Sequence, residues 1–557
     1  MVVFADDEQE KRITFLKRRE EEELAQMLSR KYGVEYIDLS LVAINSDALR
    51  LIPEAQAREA EAAVFGAVGK RVSIAARAPA NPKVVALMQD LTVRGYAPTL
   101  FMTSQESLKR AFERYADLSY AKGSQAGVFD LSDNAVEELL DKIKNFEDIK
   151  ALVEEAIAMK RAYRVTRILE VILAGGLSTN ASDIHFEPEE TDVHLRYRLD
   201  GVLVDALSFD HETYRLALSR LKLLSGMKLN LTAIAQDGRF SIKVKGEEIE
   251  LRASILPGNY GETLVLRLLN PKSIAVPLDE LGIEPKLLAR LDREISRPNG
   301  MILTTGPTGA GKTTTLYAFL RKVNVSGTKI ITIEDPIEYH LPVVQTQVEK
   351  NYSFGDALRS ALRSDPDIIM VGEIRDADVA ETAINAALTG HLVFSTLHTN
   401  DAAGSFPRLI DLGVSEKVLS SAINAAMAQR LVRKLCPVCR AQRPASAPEE
   451  EMIARHVATI VDRSLIPTAS NLHNVYDAKP GGCPECHGRG YKGRVGIFEC
   501  IFMDGKIEEV LRTKPSGREV ALAARPQGIP NMQEDGVLKV LSGVTSLSEL
   551  ARVVDLG

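Results

Sequence analysis

An apolar run, Met301-Ile302-Leu303-Thr304-Thr305, passes directly into Gly306-Pro307-Thr308-Gly309-Ala310-Gly311-Lys312-Thr313, and Thr314 to Lys322 continues with a helical pattern. Strand, glycine-rich loop and helix in that order make the arrangement that closes backbone N–H groups around phosphate. Glycine allows the tight curvature, successive N–H groups form an anion-binding concavity, and the helix N-terminus adds a favourable dipole. The candidate nucleotide-binding residues are therefore Gly306, Pro307, Thr308, Gly309, Ala310, Gly311, Lys312, Thr313 and Thr314. Lys312 is expected on the β- and γ-phosphates of ATP and the Thr313 hydroxyl on Mg²⁺. The feeding strand reads as buried, so the segment demands an α/β domain.

Carboxylates should follow on neighbouring strands, and they do. Asp367-Ile368-Ile369-Met370-Val371 reads as a buried strand ending in Gly372-Glu373. Glu373 stands where an acid would hold Mg²⁺ through water. Lys329–Ile333 reads as another strand, followed by Glu334-Asp335-Pro336-Ile337-Glu338. One of Glu334, Asp335 and Glu338 is expected to polarise the attacking water. His391-Leu392-Val393-Phe394-Ser395-Thr396-Leu397-His398 is a further strand with polar residues after it. His391 and His398 are candidates for sensing the γ-phosphate; the plainer reading is a histidine hydrogen-bonded in the core.

With 557 residues and roughly 100–200 per domain, the chain should hold about three to five domains. Hydrophobic residues at 45% and charged residues at 26% exclude a disordered or fibrous chain. A net charge of −7 argues against a general binder of nucleic acid or anionic lipid. No apolar run is long enough for a membrane-spanning helix. The acidic start, Met1 to Glu10, lacks the pattern of a signal peptide, so a cytoplasmic location is expected.

The segments read as follows. Residues 1–30 form a charged helix, with Lys17-Arg18-Arg19 ahead of Glu20 to Glu23, most simply a solvated face. Residues 31–115 form a small N-terminal α/β domain without a chemical motif, and residues 116–160 a linker, small and polar at 121–127, and helix. Residues 161–270 form a second α/β domain that bears arginines. Within it, Val193–Leu199 alternates with period two, and Asp200-Gly201 turns a hairpin into Val202–Ala206. Residues 271–280 connect it to the largest block, 281–557.

Cys436-Pro437-Val438-Cys439 and Cys483-Pro484-Glu485-Cys486 are two C-x₂-C knuckles. Paired spacing in a reducing compartment reads as metal before disulfide. Four thiolates, Cys436, Cys439, Cys483 and Cys486, suit a closed, structural Zn²⁺ site. The separation between the knuckles is longer than in common zinc motifs. His487 adjoins a knuckle as an alternative ligand, and Cys500 reads as a buried core residue.

Together these motifs resemble the secretion-superfamily ATPases, specifically the type IV pilus assembly and type II secretion motors. Ile331-Thr332-Ile333-Glu334-Asp335-Pro336-Ile337-Glu338 is similar to that family's Asp box. Leu358 to Asp367, continuing through Val371-Gly372-Glu373-Ile374-Arg375-Asp376, is similar to its atypical Walker B segment, and Thr389 to Asp401 to its His box. Ser182-Asp183-Ile184-His185, Arg196-Tyr197-Arg198-Leu199-Asp200-Gly201, Gln236-Asp237-Gly238-Arg239 and Gly261-Glu262 match its preceding domain, although Ala235 stands where proline is usual. The likeness is close over residues 160–557 and loose before them.

The resemblance implies a RecA-like P-loop ATPase domain preceded by a PAS-like α/β domain, with a tetracysteine zinc insertion at 434–495. It implies that Glu373 is the Walker B acid, that Glu338 is the first choice for the catalytic glutamate, and that His391 and His398 couple nucleotide state to conformation. Arginines of the preceding domain should reach the nucleotide; Arg196, Arg198, Arg239, Arg252 and Arg267 are candidates, because charge develops on the γ-phosphoryl oxygens. It further implies a homo-hexamer on the inner face of the cytoplasmic membrane. Its partners would be a membrane platform protein and cytoplasmic docking components. The tetracysteine segment and long N-terminal region favour assembly or secretion over pilus retraction. No Arg-Leu-Gly-rich cyclic-dinucleotide motif stands in residues 1–120, so no such regulation is expected. Pilus assembly is the first reading and type II secretion the second; a nucleic-acid translocase or a non-hydrolysing scaffold is more distant.

Overall fold

The computed structural model describes residues 21–39, 42, 44, 46–49, 51–68, 71–115, 128–129, 133–159, 161–270, 276–349, 351–467 and 472–557. Lys17-Arg18-Arg19, the small polar stretch 121–127 and residues 271–275 of the 271–280 connector lie outside these residues. The chain divides into two compact units, Met1–Ser124 with Glu155–Arg167, and Gln125–Glu154 with Ile168–Gly557.

In the first unit a four-stranded sheet runs in the order Glu35–Tyr36, Ala97–Met102, Arg71–Ala76, Ala62–Val68. The first three strands are parallel and the last pairs antiparallel. Helices Glu54–Ala60, Pro82–Val93 and Gln105–Tyr115 supply apolar partners such as Val84, Leu91 and Leu108 to Val64 and Ile74. Helix Pro82–Val93 starts where its sequence says it should: Asn81 caps the Lys83 N–H and proline follows at the first helical position. The charged N-terminal helix is not simply solvated. Glu22 accepts hydrogen bonds from the hydroxyls of Tyr36, Ser104 (2.6 Å) and Ser107 (3.2 Å).

The second unit holds two seven-stranded sheets. The first runs Val128–Phe129, Gln236–Val244, Glu247–Gly258, Gly261–Leu269, Asp183–Pro188, Val193–Leu199, Val202–Phe209, antiparallel after its first pair. Val193, Leu195, Tyr197 and Leu199 are buried while His194, Arg196 and Arg198 take the other face, as period two requires. Asp200 and Gly201 turn the hairpin with φ of 51° and 85°.

The second sheet runs Val344–Gln347, Ile330–Glu334, Ile368–Val371, Leu392–Leu397, Gly300–Thr305, Ile423–Leu435, Tyr491–Phe502. All neighbours are parallel except the last pair. Every residue of Gly300–Thr305 and of Leu392–Leu397 is buried, because helices cover both faces of a parallel sheet. Leu303, Ile333, Val371 and Val393 pack into one core and Ile302, Phe319, Met370 and Phe394 into the other. The outer strands run to Leu435 and from Tyr491, so the excursion that carries the cysteines spans residues 436–490.

Candidate nucleotide cleft and cysteine cluster

Parallel α/β sheets place ligands at the carboxyl ends of their strands. Here four adjacent strands end in Glu334, Gly372-Glu373, His398 and Gly306. A cleft of about 430 Å³ lies over those ends, lined by Thr308–Thr314, Glu334, Asp335, Glu338, Glu373, Arg375, His398 and Arg494, among others. Gly306 and Gly311 have φ of 143° and 89°. A Cβ at Gly306 would meet the Gln429 carbonyl at 2.5 Å, so the loop cannot carry side chains there. Helix Lys312–Val323 begins directly after Gly311. Lys312 donates through Nζ to the carbonyls of Gly306 (2.7 Å) and Pro307 (3.2 Å). Burial holds its pKa below the ordinary lysine value, partly offset by the nearby Glu373 carboxylate.

Glu373 faces Lys312 across the cleft. Burial works against its charge, but an ion pair with Arg375 and the contact with His398 (Nε2 to Oε2, 3.1 Å) hold its pKa below the usual carboxylate value. The three carboxylates after Ile333 differ sharply. Glu334 is buried and accepts bonds from Tyr317, Thr332 (2.6 Å) and Gln345 (3.0 Å), so its lone pairs are engaged in holding the strand end. Asp335 is exposed and precedes Pro336 through a cis peptide bond. Glu338 is half-buried; burial raises its pKa, while Arg267 and Arg252 pull it down.

The arginine face resolves along cross-strand registers. Arg239, Arg252 and Arg267 pair in one row across three strands. Arg252 donates to the Ile337 carbonyl at 2.6 Å, and Arg239 and Arg252 line a cavity of about 410 Å³ together with Glu338. Arg196 and Arg198 do not join them. Arg196 pairs with Glu187 (2.9 Å) and Asp205 (2.6 Å), and Arg198 with Asp183 (3.2 Å), whose other oxygen takes Arg267 at 3.1 Å. His391 also lies outside the cleft, its Nδ1 3.1 Å from the Ala386 carbonyl.

Three further residues belong to the site. Arg375 sits two positions after Glu373, a spacing that could have marked it. Arg494 reaches the cleft from the antiparallel edge strand. Gln429 donates to the Ala310 carbonyl at 2.8 Å and so braces the loop from beneath.

The four cysteine Sγ atoms lie within 4.8 Å of one another. Cys436–Cys483, Cys439–Cys486 and Cys483–Cys486 separations are 3.7, 3.8 and 3.8 Å. Ligands at about 2.3 Å around a tetrahedral zinc sit about 3.8 Å apart, so the donor set fits Zn²⁺. The Cys483 and Gly490 N–H groups donate to Cys486 Sγ at 3.2 and 3.1 Å. His487 points elsewhere, to the Lys144 carbonyl at 2.5 Å.

From the same knuckle Arg489 donates to Asp200 at 2.9 Å, tying the cysteine excursion to the tip of the arginine-bearing hairpin. The pair is less than a fifth exposed on either side. Arg489→Ala is expected to raise hydrogen exchange in the Leu199–Val202 turn by about tenfold, about 1.4 kcal/mol. Unchanged exchange there would show that the pair is idle.

Comparison with known proteins gives the family. Residues 159–552 match the family model described as Type II/IV secretion system protein. The chain is 35% identical to the type IV pilus assembly ATPase PilB of Myxococcus xanthus, over 95% of this chain and 91% of that one. It is 41% identical to type II secretion system protein E of Pseudomonas aeruginosa, over 74% of this chain and 79% of that one. Residues 32–121 match the MshEN domain model. A solved structure described as "Structure of MshE with cdg" aligns at 31% identity over 16% of this chain and 66% of that chain, with a TM-score of 0.16. The expectation of no cyclic-dinucleotide regulation rested on a missing Arg-Leu-Gly run, and the MshEN match over residues 32–121 stands mildly against it. Phosphate loop, acidic strand ends and a match over most of its length lead to one conclusion: the chain belongs to the Type II/IV secretion system protein family and is an ATPase.

Proposed function

We propose that the chain is a motor that polymerises pilin during type IV pilus assembly. In this reading it acts as a homo-hexamer against a membrane platform protein, on the cytoplasmic face of the membrane, with its N-terminal region docking other parts of the machine. The observation that carries it is the position of Glu338, half-buried in a cavity it shares with Arg239 and Arg252 of the preceding domain, where Arg267 and Arg252 pull its pKa down. A carboxylate poised there meets the arginines only while the two domains stay together, so ATP turnover is linked to their separation and closure, a rigid-body change. We read residues 161–270 as a PAS-like lever.

Lys312 and the loop amides would bind the ATP phosphates, and Thr313 and Glu373 would hold Mg²⁺, which neutralises phosphate charge when bound. Glu338 takes the proton of the attacking water. Arg252 and Arg267 offset the charge that grows on the γ-phosphoryl oxygens. His398, bonded to Glu373, reports on the state of the cleft. Among the described residues no helix is long and apolar enough to cross a membrane, so the reading places the chain peripherally.

Pilus assembly is put first because the pilus assembly relative aligns over 95% of the chain, against 74% for secretion protein E. The higher identity to secretion protein E, 41%, supports pseudopilus assembly in type II secretion as the second reading. Electron microscopy of deletion cells separates them. Loss of surface pili, restored by the wild-type chain and not by Lys312→Ala, is the expected result. Normal pili with exported proteins retained in the cell would replace the first reading by the second.

A further inference from the structure

The loop after strand Leu392–Leu397 carries His398 into the cleft, and it is fastened at both ends. At the near end Thr399 N–H donates to Thr305 Oγ1 at 2.8 Å, and the two threonine hydroxyl oxygens are 2.7 Å apart. Thr305 is the last residue before the phosphate loop. Thr399 Oγ1 also donates to the Asp401 carbonyl at 2.9 Å, and the Gly404 N–H donates to the Asp401 carboxylate at 2.6 Å. At the far end the Ala402 N–H donates to Glu499 Oε1 at 2.7 Å. The other oxygen of Glu499 accepts the Met532 N–H at 3.1 Å, the first residue of helix Met532–Leu541.

Glu499 lies on edge strand Tyr491–Phe502, opposite Ala428, beside a cavity of about 770 Å³ that Asp401, Arg430 and Met532 also line. It touches neither the phosphate loop nor any carboxylate of the cleft. We propose that Glu499 is a positioning residue for ATP hydrolysis. It pins the loop from His398 to Gly404 between the sheet edge and the N-terminus of helix Met532–Leu541, and thereby sets the His398–Glu373 contact. A single carboxylate can do this because it accepts one amide from each element with a separate oxygen. Gln in its place offers one acceptor and turns an N–H₂ toward the other amide, so one of the two fastenings is lost without loss of volume.

This inference rests on the reading of the cleft given above. A loop displaced by about 1 Å costs roughly ten- to a hundredfold in rate when it carries a group of the site. The test is a double-mutant cycle on the full chain. Glu499→Gln is expected to lower kcat at least about tenfold with KM for ATP within about twofold. In a His398→Ala background the same substitution should cost little more, because the contact it sets is already gone. Thr399→Val, which loosens the near end of the same loop, should reproduce both effects and decides the matter if Glu499→Gln does not fold. Losses that multiply in the double variant, or a raised KM with kcat intact, overturn the proposal while leaving the cleft reading in place. Should Lys312→Ala and His398→Ala both keep wild-type turnover, the cleft reading fails and the proposal with it.

Discussion

Glu338→Gln is expected to reduce ATP turnover by at least about a hundredfold, about 2.7 kcal/mol of barrier, while nucleotide binding stays near the wild-type level. The reason is its environment. Of the three carboxylates after Ile333, Glu334 is saturated by Tyr317, Thr332 and Gln345, and Asp335 is exposed. Glu338 alone is both half-buried and faced by cations, burial raising its pKa and Arg267 and Arg252 opposing that rise. A base works deprotonated, so kcat should fall as pH drops through this pKa, and the acid limb should lie above the ordinary glutamate range. The sign of the arginine effect follows. Arg267→Gln removes the larger downward influence, so the acid limb should move to higher pH; a move to lower pH contradicts the assignment. Single-turnover rates against pH, with equilibrium binding of a fluorescent nucleotide, separate the chemical step from affinity. Unchanged turnover in Glu338→Gln would take the residue out of the mechanism and leave Asp335 as the carboxylate free to act.

What could be seen in the sequence, and what could not, divides by the range of the interaction. The phosphate loop is local: strand, turn and helix follow one another, and each residue type is demanded by its own backbone. The alternation at Val193–Leu199 is equally local, and it correctly puts Arg196 and Arg198 on one face. Which arginines reach Glu338 is a matter of register between strands far apart in sequence. That register aligns Arg239, Arg252 and Arg267, while Asp205 and Glu187 hold Arg196 and Asp183 holds both Arg198 and Arg267. Arg494 was hidden for the same reason, since only the pairing of Tyr491–Phe502 with Ile423–Leu435 brings it to the cleft. The two histidines are a different case. His391 precedes strand Leu392–Leu397 and His398 follows it, so they stand at opposite ends of the sheet. The rule that sites form at carboxyl ends of parallel strands separates them without any structure. The role of Glu334 could not be anticipated, because its three donors come from a helix, its own strand and the next strand.

Withdrawal of zinc should produce the largest structural change that leaves the nucleotide cleft intact. The chain is expected to bind one zinc through Cys436, Cys439, Cys483 and Cys486, and Cys483→Ser to lose it. Structural zinc contributes on the order of 10 kcal/mol of apparent binding energy in small metal-held domains, and it acts at the knuckles beside the long-range contacts of Arg440 with the Gly543 carbonyl, His487 with Lys144 and Arg489 with Asp200. Chelation should therefore open the Cys436–Arg440 and Cys483–Gly490 turns and release Arg489 from Asp200. The strands on either side have their own supports. Arg433 pairs with the fully buried carboxylate of Glu549 at 2.6 Å, and the Tyr491 hydroxyl lies 2.6 Å from that of Ser546. These keep Arg494 and Gln429 in place, so nucleotide affinity should change by less than about threefold. Thiol titration gives a count that can fail. Of the five cysteines, chelation should expose four to reagent, while Cys500, buried in the core of the sheet, stays unreactive until the chain unfolds. Hydrogen exchange in residues 436–490 that is the same with and without zinc would show that the cluster stands without the metal. A collapse of nucleotide binding on chelation would show instead that the knuckles support the cleft directly, through the strand that carries Arg494.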